Sequence, residues 1–182
     1  MNLLIASDIH GAEAYCGKLI KACYLERAET VLLIGDILDG NREVAAMLNS
    51  LSREKTILCV WGNCDYPEDQ AMLDFPIMAE YCLLFVGGKV IFATHGHRAI
   101  PNLSSNSILL HGHTHAPSWE LTKAGCLDLC PGSVSNPRRN SQRSYMILGD
   151  EGFTWKDLDG RTYHKLCFEE LSKHNQTLEN HN

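Results

Sequence analysis

The first sixty residues alternate short apolar runs with amphipathic stretches. Leu3 to Ser7 has the pattern of a buried strand. Tyr15, Cys16, Leu19, Ile20 and Cys23 then recur at helical spacing, which predicts a helix over roughly residues 12 to 27. Val31 to Ile34 reads as a second strand, and Val44, Met47, Leu48 and Leu51 form the stripe of a second helix. Thr56 to Val60 reads as a third strand, and Pro67 suits the first turn of a short third helix. This βαβαβα order predicts a parallel sheet with right-handed crossovers.

From residue 81 the texture changes. Two apolar runs flank Gly87-Gly88, a hairpin signal. Further strands are expected at 108–111, 118–122, 126–130, 144–148, 153–157 and 162–168, with turns at Lys123-Ala124-Gly125, Asp150-Glu151-Gly152 and Asp159-Gly160. The second half is therefore expected to be strand-rich and largely antiparallel. Two packed sheets flanked by helices would hold both halves in one α/β domain over residues 1–170, followed by a polar tail over 171–182.

Composition narrows the class. The 182 residues are 45% apolar and 21% charged, ordinary globular values that exclude a disordered or collagen-like chain. No apolar run approaches the ~18 residues a membrane span needs. Leu3-Leu4-Ile5-Ala6 runs into Asp8 and His10 with no basic leader, so a signal peptide is not expected. The formal charge of −6 gives no basic footprint for extended nucleic acid, although a local patch could hold a small phosphate. Eight cysteines form no CxxC pair. Cys126 and Cys130 would sit ~13 Å apart on an extended strand, beyond the ~7 Å Cα separation of a disulfide. Most of the others lie among apolar neighbours, so free thiols and a cytoplasmic location are expected.

Candidate chemistry sits where strands end. Asp8-Ile9-His10 follows the first strand, Gly35-Asp36 the second and Gly62-Asn63-Cys64-Asp65 the third. Thr94-His95-Gly96-His97 and His111-Gly112-His113-Thr114-His115 end two later ones, so five of nine histidines fall between positions 95 and 115. Carboxyl ends of parallel strands border the ligand crevice. On extended backbone, residues two apart point the same way, which would pair Asp8 with His10 and His113 with His115. An Asp after a strand is by itself an ordinary turn residue, but independent turns do not account for this clustering. Imidazole, carboxylate and amide donors suit Mn²⁺, Fe²⁺, Zn²⁺ or Co²⁺. Asp8, His10, Asp36, Asn63, His95, His113 and His115 are more donors than one ion needs, and suit two ions sharing a carboxylate.

In this order the motifs Asp8-x-His10, Gly35-Asp36, Gly62-Asn63-Cys64-Asp65, His95 and Gly112-His113-Thr114-His115 resemble those of the calcineurin-like metallophosphoesterases. Within that family the chain is most similar to the small YfcE-type phosphodiesterases, which share SDIHG, GNCD, THGH, GHTH and PGSVS, here Pro131 to Ser135. The resemblance covers roughly residues 1 to 150. It implies a four-layer αββα sandwich of two mixed β-sheets flanked by helices. It also implies one metal held by Asp8, His10, Asp36 and His115, and a second held by Asp36, Asn63, His95 and His113. Mn²⁺ is the expected ion, with Zn²⁺, Fe²⁺, Ni²⁺ or Co²⁺ as alternatives. A hydroxide bridging the two ions would attack a small phosphodiester directly.

Asp36, Asn63 and His97 are thus the residues expected to act in catalysis. Many family members carry histidine where this chain has Cys64, and His97 is the candidate acid in its place. Cys64, Arg138 and Arg139 are candidate substrate contacts, with a solvated loop the plainer reading of the arginines. Asp65 is expected to fix its loop or cap the next helix, and Trp61 and Trp119 to pack or to stack on an aryl group. A phosphomonoesterase or nucleotide hydrolase would use the same centre. A non-catalytic scaffold resembling a small retromer subunit would not need the full ligand set. An exposed apolar edge in the strand-rich half would allow a homo-oligomer, but no residue pattern marks one and the oligomeric state is not readable from the chain.

Overall fold

The computed structural model describes residues 2–77 and 79–169, so the expected polar tail over 171–182 lies outside the described residues. Two mixed sheets with helices make an α/β fold. In the first sheet, β1 (Leu3–Ala6), β2 (Thr30–Ile34) and β3 (Thr56–Val60) run parallel. The antiparallel strands β9 (Ser144–Gly149), β10 (Gly152–Asp157) and β11 (Thr162–Cys167) extend it beyond β1. The second sheet has the order β4 (Tyr81–Val86), β5 (Lys89–Thr94), β6 (Ser107–His111), β8 (Leu127–Cys130), β7 (Ser118–Leu121).

Strand alternation builds two cores from one sheet. Leu4, Ala6, Val31, Leu33 and Tyr145 face the helices, while Leu3, Ile5, Leu32, Ile34 and Met146 face the second sheet. The second sheet answers with Ile91, Ala93, Ile108, Leu110, Leu127 and Leu129. Helix α1 (Glu13–Leu25) buries Cys16, Leu19, Ala22 and Cys23. Helix α2 (Arg42–Ser52) buries Val44, Ala45, Leu48 and Leu51, and Asn41 caps it by accepting from the backbone N–H groups of Glu43 and Val44. Both helices cover the first sheet. A single turn, α3 (Pro67–Gln70), begins at the expected proline. Trp155 is fully buried and donates its indole N–H to the Cys130 carbonyl at 2.8 Å, tying the sheets together.

The expectation of a largely antiparallel second half needs one correction. β4–β5, β7–β8, β9–β10 and β10–β11 are antiparallel, but β5, β6 and β8 run parallel. Alternation carries no information on strand direction. The chain between Thr94 and Ser107 is long enough to return for a parallel crossover without a helix. The consequence is functional: six parallel strands present carboxyl ends, three from each sheet.

No helix among the described residues is long and apolar enough to cross a membrane. Cys16, Cys23, Cys59, Cys126 and Cys130 are buried free thiols. Burial pushes the Cys16 and Cys130 thiols up to about 12, so they stay protonated. We therefore expect a colorimetric thiol titration of the native protein to leave the buried five uncounted, and to reach all eight only after denaturation. A native count that includes the buried five would contradict this packing.

Candidate metal centre

The strand ends meet through backbone pairing before any side chain is considered. The N–H groups of Asp8, His10 and Gly11 donate to the carbonyls of Gly35, Asp36 and Ile37, so the loop after β1 runs along the loop after β2. The Pro131–Ser135 segment then clamps the first loop: Ser133 and Ser135 hydroxyls both donate to the Asp8 carbonyl at 3.0 Å. Asp65 locks the third loop to the second. Its carboxylate accepts from the backbone N–H groups of Asp36, Ile37 and Gly62 at 2.7–2.8 Å. This settles its two sequence readings in favour of fixing the loop. Burial raises the Asp65 pKa even though these three donors pull it down.

Glycine is required where the loops touch. A Cβ on Gly62 would strike the Asp36 carboxylate, and one on Gly112 would strike the Ser7 hydroxyl. The donor residues themselves are bent. Asp8, His10, Asp36, His113 and His115 have φ of 57°, 49°, 56°, 63° and 59°. Such left-handed conformations cost of order 1–3 kcal/mol each for non-glycine residues and concentrate at functional sites. The extended geometry expected for Asp8-x-His10 and His113-x-His115 is therefore replaced by tight turns. Asp8 and His10 still converge, with Nε2 of His10 3.9 Å from Asp8 Oδ1. His113 and His115 diverge: the exposed His113 ring stands 5.2 Å from that of His95, whereas His115 Nε2 reaches Asp8 Oδ1 at 3.2 Å.

Three imidazoles are oriented alike. His10 Nδ1 donates to the Asp39 carboxylate at 3.0 Å, His95 Nδ1 to the Ile34 carbonyl at 2.8 Å and His115 Nδ1 to the Asn136 carbonyl at 2.7 Å. Each Nε2 then turns inward. His10 Nε2 and His115 Nε2 are 3.4 Å apart, and His95 Nε2 lies 3.2 Å from Asp36 Oδ2 and 3.1 Å from Asn63 Oδ1. Donor atoms fall into three overlapping triads, Asp8-His10-His115, His10-Asp36-Cys64 and Asp8-Asp36-His95, each within 4.8 Å. Asp8, His10 and Asp36 are each shared between two triads, and His113 belongs to none.

The charges have no protein counterpart other than these rings. Asp8 is fully buried and neither carboxylate oxygen has a hydrogen-bond partner among the described residues. Burial raises its pKa, with His95 and His115 acting against the rise. Burial also acts to raise Asp36, but the hydrogen bonds from His95 and the Cys64 N–H overcome it and bring the group to about 2. The His95 pKa is raised, its burial outweighed by Asp36. A buried carboxylate facing imidazole lone pairs is the electrostatic complement of a cation, and the donors present fit a divalent metal.

The remaining candidates separate. His97 lies beside the centre, its ring 5.5 Å from His95; burial, then His95 and Arg98, lower its pKa. His111 leaves the cluster, pairing with Asp128 at 2.8 Å. Burial, then Asp36, pushes the half-buried Cys64 thiol up to about 11, and Sγ accepts from the Asn63 amide at 3.1 Å. Arg138 and Arg139 are exposed, with the Arg138 N–H bound to the His115 carbonyl. Arg143 stacks on Tyr15 at 4.2 Å. Trp119 stacks on His164 at 3.8 Å between the two sheets, far from the aryl-binding role considered for it. Asp39 and Asn136 were missed; Asp39-Gly40 reads simply as a turn, and a backbone carbonyl leaves no sequence signal.

Fold and site together define a metallophosphoesterase. Residues 1–151 match the family model of the calcineurin-like phosphoesterase superfamily domain, and the chain belongs to that family of hydrolases acting on phosphoesters. It is 32% identical over 166 residues to phosphodiesterase YfcE of Escherichia coli K12, covering 83% of this chain and 89% of that protein. The solved structure of YfcE, a phosphoesterase from E. coli, superposes with a TM-score of 0.83 at 29% identity over 92% of this chain and 99% of that one. Vacuolar protein sorting 29 from Cryptosporidium parvum shares the fold, with a TM-score of 0.63 at 22% identity over 91% and 97% of the two chains.

Asp65→Ala removes one acceptor from three buried N–H groups and should cost about 3 kcal/mol of stability, since bonds to a charged group contribute ~1.5–3 each before relaxation. Asp65→Asn keeps one acceptor oxygen and should lose less. Chemical denaturation of both variants measures the difference, and equal, negligible losses would contradict the clamp.

Proposed function

We propose that the chain is a phosphodiesterase for small phosphodiesters, working with two divalent cations. The unpartnered, buried Asp8 carboxylate carries this reading: without a cation, the centre is relieved only by protonating its own imidazoles. Asp8, His10, Asp36 and His115 would hold one ion, and Asp36, Asn63, His95 and His113 the other. Such ions lower the pKa of water toward neutrality and neutralise charge on phosphoryl oxygens. Mn²⁺ is our first choice, and Zn²⁺, Fe²⁺, Ni²⁺ and Co²⁺ suit the same donors.

The residues of the chain would divide the remaining work. Asp36 serves both sites, and its low pKa keeps it ionised at neutral pH. Asn63 supplies a neutral amide oxygen beside His95. Arg138 and Arg139 would draw the phosphate toward the rim. Cys64 acts as a neutral contact, because a thiol near 11 offers negligible thiolate as a nucleophile. His97 would donate a proton to the departing alkoxide. The free thiols of Cys16, Cys23, Cys59, Cys126 and Cys130 support a reducing, cytoplasmic setting.

The test is hydrolysis of bis-p-nitrophenyl phosphate against p-nitrophenyl phosphate by metal-stripped protein resupplied with Mn²⁺, Zn²⁺ or Mg²⁺. We expect metal-dependent turnover favouring the diester, lost on chelation and at least 100-fold lower in Asp36→Asn and Asn63→Ala. A monoester preference would keep the centre and change the substrate class. Near-normal turnover by Asp36→Asn would overturn the shared-carboxylate assignment.

His97→Ala is expected to slow diesters with poor leaving groups more than those with good ones. Its pKa is lowered from 6.5, so the protonated form is already depleted as pH rises toward 6.5, and the difference should shrink over that range. Equal losses for both substrates at every pH would remove His97 as the acid.

A further inference from the structure

Among the described residues four strand edges are open, and one of them lacks every common protection against pairing with another chain. At β7 the strand is four residues long, follows Pro117 and contains Glu120. At β11 the edge carries His164 and Lys165. At β3 the Trp61 N–H just beyond the strand is taken by the Ala79 carbonyl. By contrast β4 is six residues of Tyr-Cys-Leu-Leu-Phe-Val with no charge and no proline, paired to β5 in unbroken register from Tyr81↔Thr94 to Val86↔Lys89. A long, flat, apolar edge of this kind is a template for strand addition.

The side chains of β4 deepen the anomaly. Cys82, Leu84 and Val86 point inward onto the inter-sheet core. The alternate positions should then be polar, yet they are Tyr81, Leu83 and Phe85, exposed by 50%, 48% and 77%. Tyr81 stacks on Phe92 of β5 with ring centroids 5.0 Å apart, so the apolar surface extends inward from the edge.

We propose that β4 pairs antiparallel with β4 of a second copy across a two-fold axis at Leu83, continuing the second sheet from one subunit into the next. The strand is complementary to itself. An antiparallel register keeps each face together only when the axis passes through a residue. With the axis at Leu83, Tyr81 lies opposite the second copy's Phe85, Leu83 opposite its own equivalent and Cys82 opposite Leu84. Every pair is apolar, and Glu80 meets Val86 rather than another carboxylate. Moving the axis to Leu84 would place Tyr81 against Gly87 of the turn and lose that contact. A charged or polar strand would find no matching group along this edge. The two-fold contact also closes on itself, so it consumes the β4 edge of both copies and does not propagate through it.

Sedimentation velocity and light scattering of the full chain over a dilution series test this directly. We expect a particle of at least twice the 20.3 kDa chain mass that dissociates on dilution. Leu83→Lys and Phe85→Lys should each weaken the association at least tenfold while leaving circular dichroism unchanged. Leu25→Lys, at an exposed position on the end of α1, should leave it intact. Leu83→Cys should form an inter-subunit disulfide on mild oxidation, above any background in the parent protein, because that residue faces its own copy. A monomer at every concentration, or a dimer indifferent to both lysine variants, would overturn the proposal.

Discussion

The structure depends on how closely two sheets are brought together at the carboxyl ends of their strands. Gly35 lies against Gly62 and the His95 ring, with no room for a methyl group on either glycine. That contact joins β2 and β3 of the first sheet to β5 of the second. It sets the height at which each strand must turn, and the turns are sharp enough to force five chemically active residues into the left-handed region. Backbone strain, an orphaned carboxylate and missing side-chain volume are thus one arrangement seen from three sides. Stability is given up locally so that donors from both sheets reach a common point.

Holding that arrangement falls to groups that never touch the centre. The Asp65 carboxylate gathers three N–H groups from two loops, and the Ser133 and Ser135 hydroxyls hold the Asp8 carbonyl. Carbonyls of Ile34 and Asn136 and the Asp39 carboxylate set the tautomer of three histidines. The ring atoms facing the centre are therefore chosen by bonds made on the far side of each ring. This division explains how buried charges and strained loops coexist with an ordinary, well-packed interior above and below them.

Much of the fold was legible from periodicity. Thr56 to Val60 was placed without error, and the other strands shifted by a residue or so, because alternation and turn chemistry act locally. Strand direction in the second sheet was not legible, since β5 and β6 look the same on the page whether parallel or antiparallel. The donors at strand ends stood out by residue type and spacing. Their conformation did not, because Asp8 and His115 are held by backbone and hydroxyl partners 21 to 127 residues away. His111 shows the same limit from the other direction. It shares the spacing of its neighbours, yet the pleat turns it to the outer face, toward Asp128.

The span of the Asp8 contacts has a further consequence for biosynthesis. Asp8 is synthesised well before the hydroxyls that fix its carbonyl, which lie 125 and 127 positions later. The carbonyl that orients His115 belongs to Asn136, later still. During translation the early βαβαβ portion can fold with its acidic loops in place, while their partners are still unmade. A nascent chain thus carries exposed, uncompensated carboxylates until residues 133–136 have been made. Completion of the centre coincides with closure of contacts spanning 125 and 127 residues, so a filled site also reports that both halves of the domain have come together.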